Sequence, residues 1–368
     1  MTAQELALHY PLGDTLPTPG TAIEVVTEGA TKVVSEAVSG VRWLRMGLPF
    51  ALDHINLWLL RDRQDGIDGW SIVDCGIDNP ATRGHWEQIF ADQLQGLPVL
   101  RVIVTHMHPD HIGLAHWLCE RWSTPERDCR LWISATDWNA ARVASAADTA
   151  FGGEGAARFF ARHGLTDPAA LDQVRARTNY YASMVPQVPR QYRRLLDGMV
   201  LTIQGRPWHC IVGHGHAPEH IALHCPDLNV LIAGDMVLPR ISTNVSVIDL
   251  EPEGNPLPLY LDSIAKLKVL PADTLVLPSH GKPFIGLHTR IDQLHQHHEE
   301  RYAEVLAACA KAPGSAADML PVLFKRTLDL HQTTFAMGEA VAHLHALADS
   351  GRLRAHTGLD GVVRFQTV

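Results

Sequence analysis

At 368 residues the chain is long enough for one large domain, or for a large domain with a small companion. Apolar residues make up 46% and charged residues only 19%, which predicts a well-buried core and excludes bulk disorder. The formal net charge of −9 has the wrong sign for a protein that grips nucleic acid through its overall field. The 22 histidines against 6 tyrosines lean toward metal or proton chemistry.

From the N-terminus, Glu5, Asp14 and prolines 11, 17 and 19 occupy the first twenty residues without a basic, then apolar, leader. No secretory signal is therefore expected, and no apolar run approaches the length of a membrane span. Strands are predicted at 41–46, 55–60 and 71–73, then at 100–104 and 131–134. Further strands are predicted at 200–203, 209–212, 221–224, 230–233 and 274–277. Asn79-Pro80 opens a helix with a cap and a first-turn proline, and 110–122 reads as another helix. Strands interleaved with helices imply two sheets with helices outside.

Residues of about 137–196 interrupt this pattern with helical signals and a proline-rich exit through Pro186 and Pro189. Arginines 158, 162, 175, 177, 190, 193 and 194 gather there, against Asp167 and Asp172 alone between 157 and 196. Such an excess is either a solvated helix face or a lid presenting guanidinium groups to an anion; Arg190, Arg193 and Arg194 are the candidate substrate contacts. After Pro283 a long helix is predicted at 288–310, a break at Lys311-Ala-Pro-Gly314, and helices at 316–328 and 335–350. A hairpin over 352–356 and 362–366 closes the chain, the order of a winged-helix module. The expected units are 1–285, including the helical insertion, and a small domain at 286–368. Cysteines 75, 119, 129, 210, 225 and 309 form no CxxC pair, as expected of reduced thiols in a cytoplasmic protein. Cys75 reads as a small buried hydrophobe.

The chemistry concentrates at His106-Met107-His108-Pro109-Asp110-His111, directly after an apolar strand. In extended chain, residues i and i+2 project to one side, so His106 and His108 can hold one metal together. Pro109 keeps His108 extended, and Asp110 and His111 turn into a helix start within reach of a second metal. Imidazole and carboxylate suit zinc, and also iron or manganese. Gly215-His216-Ala217-Pro218, Ala233-Gly234-Asp235 and Pro278-Ser279-His280-Gly281 each place a metal-binding side chain at a strand-to-loop junction. His214 is the rival of His216.

With these motifs in this order, the chain resembles the metallo-β-lactamase superfamily, in its glyoxalase II-like hydrolase branch, over about residues 40–285. The resemblance implies an α/β fold: a four-layer αββα sandwich. It implies that Asp74 orients the metal loop, that His106, His108 and His216 bind a first metal, and that Asp110, His111 and His280 bind a second. Asp235 would bridge the two. Gly215 to His220 aligns with the family's Gly-His-Thr-Pro-Gly-His pattern, from which Ala217 and Glu219 depart.

The expected function is hydrolysis of a small, anionic ester, thioester or lactone by a hydroxide held between two divalent metals, most simply zinc, with Asp110 handling the proton. The tail is similar to that of the β-lactamase-like endoribonuclease group. From Pro283 onward, 8 Lys plus Arg against 9 Asp plus Glu give a net of −1, so a basic stripe is lacking and nucleic acid ranks second. An iron-dependent persulfide dioxygenase keeps a similar first motif, and a ligand sensor on a dead hydrolase would be expected to lose donors. The expected partner is a small molecule, with homodimer contact a further use of the tail and no membrane association.

Overall fold

Alternation along the strands sorts the apolar residues into separate layers. The computed structural model describes residues 7–25, 40–146 and 152–368; residues 1–6, with Glu5, and residues 147–151 of the expected insertion lie outside the described residues. One sheet runs in the order β1 (Ala22–Glu24), β2 (Val41–Gly47), β3 (His54–Gln64), β4 (Ile67–Val73), β5 (Val99–Ile103), β6 (Arg130–Ile133), β7 (Tyr192–Arg194). It is antiparallel as far as β4 and parallel beyond it. The second sheet holds β8 (Val200–Ile203), β9 (Arg206–Gly213), β10 (His220–Cys225), β11 (Val230–Gly234), β12 (Leu275–Pro278) and β13 (Phe284–Ile285) as neighbours in sequence order. Only its β11–β12 pair is parallel.

The helices in chain order are α1 (Pro80–Asp92), α2 (Pro109–Ile112), α3 (Ala115–Trp122), α4 (Ala135–Ala146), α5 (Gly153–Arg162), α6 (Pro168–Arg175), α7 (Pro256–Lys266), α8 (Leu287–Cys309), α9 (Ala316–Leu323) and α10 (Leu330–Asp349). In β3, Ile55, Leu57 and Leu59 face outward onto Trp86 and Ile89 of α1 and Leu118 of α3. Trp58 and Leu60 face the other way, into a layer with Trp43, Ile103, Trp208 and Leu223 between the sheets. Ala222, Leu231 and Val276 on the far side of the second sheet meet α7, α8 and α10. The result is the four-layer helix–sheet–sheet–helix sandwich. Fully burying a Trp or Leu side chain contributes about 1.5–3 kcal/mol, so these layers dominate stability.

Several elements differ from the sequence reading for local reasons. Strand β3 runs on to Gln64 because Asp65 and Gly66 both have positive φ (51° and 82°), the two-residue turn that matches strand twist. The helix expected over 110–122 is two helices, since Gly113 sits where a Cβ would come within 2.6 Å of the Gly76 carbonyl. The insertion ends in β7, an edge strand parallel to β6. Helix α10 begins at Leu330 instead of 335, because Asp329 and Gln332 form a reciprocal cap. Asp329→Ala is expected to cost about 1 kcal/mol in urea unfolding; an unchanged midpoint would show the cap to be inert.

A hairpin of β14 (Leu353–Thr357) and β15 (Val363–Thr367) follows α10. Phe365 and Leu353 of this hairpin join the same apolar cluster as α8, α9, α10 and the outer face of the second sheet. All six cysteines are buried and free. Cys75 lies in the apolar cluster under α1, as a small hydrophobe would. Among the described residues, no helix is long and apolar enough to cross a membrane.

Candidate metal centre

Every motif residue sits just past the C-terminal end of a strand. Asp74 follows β4, His106 follows β5, His216 follows β9, Asp235 follows β11 and His280 follows β12. The two sheets are joined at this rim by Ile221 N–H to the Thr105 carbonyl (2.8 Å) and Asn56 N–H to the Ser279 carbonyl (2.7 Å). The Asn56 side chain adds a bond to the Pro278 carbonyl at 2.8 Å. Residues more than a hundred positions apart thereby share one cleft.

His106 Nε2, His108 Nδ1 and His216 Nε2 form a triangle with edges of 2.9, 3.1 and 3.2 Å. Metal–nitrogen bonds of about 2.0–2.1 Å in tetrahedral arrangement separate donor atoms by about 3.3 Å, close to these edges. Burial, and then the neighbouring imidazoles, hold His106 and His108 well below the usual histidine pKa. They are therefore neutral, with lone pairs available to a cation.

A second group brings His280 Nε2 to 3.4 Å from Asp110 Oδ2, and His111 Nε2 to 3.7 Å from the same oxygen. Asp235 lies between the groups. Its Oδ1 is 3.5 Å from both His111 Nε2 and His280 Nε2, while its Oδ2 is 3.4 Å from His216 Nε2. Among the described residues, buried His111 Nε2 and Asp235 Oδ1 have no hydrogen-bond partner. Unpaired buried donors and acceptors are costly, and a cation between them would satisfy both, so the residues fit a divalent metal. Burial opposes a charge on His111, yet Asp74, Asp110 and Asp235 together hold its pKa well above the usual value. The group thus attracts positive charge.

Three of these rings are held by their other nitrogen, which aims the free nitrogen inward. His216 Nδ1 donates to the Asn244 carbonyl at 2.7 Å and His280 Nδ1 to the His54 carbonyl at 2.7 Å. His111 Nδ1 pairs with Asp74 Oδ2 at 2.8 Å. Asp74 also accepts from Thr105 N–H (2.8 Å) and hydroxyl (2.9 Å), from a backbone with φ of 61°. Few residues but glycine, asparagine and aspartate accept that backbone, and this one also supplies the charge. Asp74→Asn is expected to weaken metal binding about 10- to 100-fold in competition with a chromophoric chelator. An unaltered affinity would reduce Asp74 to a packing role.

The sequence reading missed several supporting residues. Buried Asp137 accepts from Met107 N–H at 2.8 Å and Glu219 N–H at 2.6 Å, clamping two donor-bearing loops to α4. The Tyr181 hydroxyl donates to the Met107 carbonyl. Asn244 reaches Glu339 of α10 through its side-chain amide (3.3 Å), so the C-terminal helix supports His216 at one remove. His220 stacks on His106 with ring centroids 4.9 Å apart and accepts from Asp235 N–H at 3.2 Å. Only His220 had a sequence signal, as the last position of the Gly215–His220 pattern.

His214 turns back onto the Pro218 carbonyl at 2.8 Å, so His216 is the histidine of that loop facing the group. Arg193, on edge strand β7, lies over the Trp132 ring at 5.5 Å, and Arg190 and Arg194 are exposed. Among the described residues, no hydrogen bond or ion pair joins these three arginines to the metal-group side chains.

Histidine and carboxylate donors at the strand ends of an αββα sandwich define a metal-dependent hydrolase. Residues 51–280 match the metallo-beta-lactamase superfamily, and residues 302–368 match the family described as "Metallo-beta-lactamase-like, C-terminal domain". The chain belongs to the metallo-beta-lactamase superfamily. It is 54% identical to a beta-lactamase domain protein from Burkholderia ambifaria, each chain covered to 100%, with a TM-score of 0.91. A metallo-beta-lactamase family protein from Thermus thermophilus is 26% identical, with 89% of this chain and 99% of that one covered and a TM-score of 0.70. The Bacillus subtilis protein named "Probable metallo-hydrolase YqjP" is 23% identical over 83% of this chain and 91% of its own length.

Proposed function

We propose that the chain holds two divalent cations, zinc in the first instance, and hydrolyses a small anionic ester, thioester or lactone. The observation that carries this reading is Asp235, whose two carboxylate oxygens face the two donor groups separately. His106, His108 and His216 would hold one ion, and Asp110, His111 and His280 the other. When bound, such a pair lowers the pKa of water to about 7 and polarises a carbonyl oxygen. Asp110 keeps its carboxylate partly exposed (19%); its Oδ2, which faces His280, would hold the ion, leaving the other carboxylate oxygen to accept the proton of the attacking water and return it to the leaving group. Asp74 and Thr105 hold the loop rigid, so little reorganisation accompanies the reaction.

The test is elemental analysis of the purified protein with a screen of lactones, thioesters, β-lactams and single-stranded RNA. About two metal equivalents with turnover of an ester or thioester is the expected result. RNA cleavage that weakens steeply with salt would replace the small-ester reading by a phosphodiesterase one. A single iron with no hydrolysis would favour oxygenase chemistry.

A further inference from the structure

Three segments around the metal centre meet at one cluster. The turn carrying Arg177, Tyr180 and Tyr181 is tied to the metal loop by the Tyr181 hydroxyl on the Met107 carbonyl. The β2–β3 loop carries Phe50 and leads to His54, whose carbonyl holds His280. Helix α10 carries His331, Phe335 and Glu339, the last bonded to the Asn244 that holds His216. At their meeting point His331 stacks on Phe50 with centroids 5.0 Å apart, and Phe335 meets it edge-on at 5.0 Å. The Tyr180 hydroxyl and His331 Nδ1 are 3.0 Å apart. The Arg177 guanidinium lies over the Tyr180 ring at 5.3 Å.

Arg177 has the feature that Arg190, Arg193 and Arg194 lack. Its Nη1 is buried with no hydrogen-bond partner among the described residues. A guanidinium donor removed from water demands an acceptor, and an oxyanion is the acceptor it fits best. Burial, and then Arg177, keep His331 below its usual pKa, so the ring is neutral; with Nδ1 accepting from Tyr180, its Nε2–H remains a donor. Burial pushes the Tyr180 phenol up to about 12, against the opposing charge of Arg177, and its neighbour Tyr181 anchors this turn to the metal loop through the Met107 carbonyl.

We infer that Arg177, Tyr180 and His331 form a subsite at the mouth of the metal centre that binds the carboxylate or phosphate end of the substrate. Arg177 supplies charge and its unpartnered Nη1 donor, His331 a second donor, and Phe50 and Phe335 pack against the His331 ring. The inference rests on the hydrolase reading for its substrate, but binding can be tested without turnover.

The binding test titrates succinate and, separately, inorganic phosphate into purified wild type, Arg177→Gln, Arg177→Lys and Tyr180→Phe by calorimetry, each of measured metal content and Tm. The metals contribute alike to every variant, so differences report the subsite. Arg177→Gln is expected to weaken one or both anions about 30-fold, with Arg177→Lys between it and wild type. Preference for succinate or for phosphate identifies which anion the subsite takes. The kinetic test compares para-nitrophenyl hydrogen succinate with neutral para-nitrophenyl butyrate. The ratio of their KM values is expected to rise about 30-fold in Arg177→Gln. Equal anion binding by wild type and Arg177→Gln overturns the subsite, as does wild type that binds neither anion. Turnover of no ester, thioester or lactone of the screened panel, with Arg177-dependent binding, would instead sink the hydrolase reading and leave the subsite standing.

Discussion

Replacing Asp235 with asparagine is expected to lower kcat/KM by about a thousandfold, equivalent to about 4 kcal/mol of transition-state stabilisation. The substitution keeps the shape of the side chain and removes the one negative charge that faces both donor groups. His111 and His280 would then confront each other with one carboxylate fewer, and His216 would face an amide. Metal content should fall together with rate, because the lost oxygen serves both groups at once. Steady-state kinetics on the turned-over ester, paired with elemental analysis, reads the two effects separately. A variant with full metal content and near wild-type rates would remove Asp235 from its bridging place and with it the two-ion reading.

The second large effect is on stability in acid and arises away from the metal centre. His298 and His343 are fully buried between α8 and α10, with His298 Nδ1 and His343 Nε2 at 3.2 Å. Burial first, then neighbouring charges including His297 and Arg301, pushes His343 down to about 4 and His298 to about 2. An unfolded histidine takes a proton below about pH 6.5, whereas this pair resists until far lower. The pair's contribution is therefore complete above about pH 6.5 and lost as pH falls toward 4, by about 3 kcal/mol for His343 alone. Half-buried Glu339, one turn from His343, has the opposite sign. Its pKa is raised to about 7, so the folded state takes its proton first and gains as pH falls. A single melting curve would mix the two, and a difference between proteins isolates the pair. His343→Gln can still donate to the Glu339 carbonyl and accept from His298. Its stability deficit against wild type in urea is expected to shrink by about 3 kcal/mol between about pH 7.5 and pH 4. A deficit that stays constant would show that the pair is not held neutral by burial.

Much of the metal centre was legible before any coordinates. His106, His108, Asp110 and His111 lie within one short run, and local backbone geometry alone puts i and i+2 on one side. His216, Asp235 and His280 each follow an apolar strand, so strand periodicity marks their position. Asp137, Tyr181, Asn244 and Glu339 carried no such mark. Each is a lone polar residue whose meaning comes from a partner far along the chain, as Asn244 shows by linking His216 to Glu339. The split of the helix at Gly113 also depended on a distant backbone, the carbonyl of Gly76.

The arginines make the same point. Residues 177, 190, 193 and 194 are alike as sequence, and the last three are the substrate contacts expected from it. In the folded chain β7 carries Arg193 and Arg194 along a sheet edge, while the preceding turn covers the Nη1 of half-buried Arg177 beside Tyr180. Spacing over a few residues was enough to mark the candidate donor residues and most of the core strands, because both are local patterns. Tertiary structure alone decided which charged side chains lose water and which neighbours they meet, because burial is a property of the packed layers.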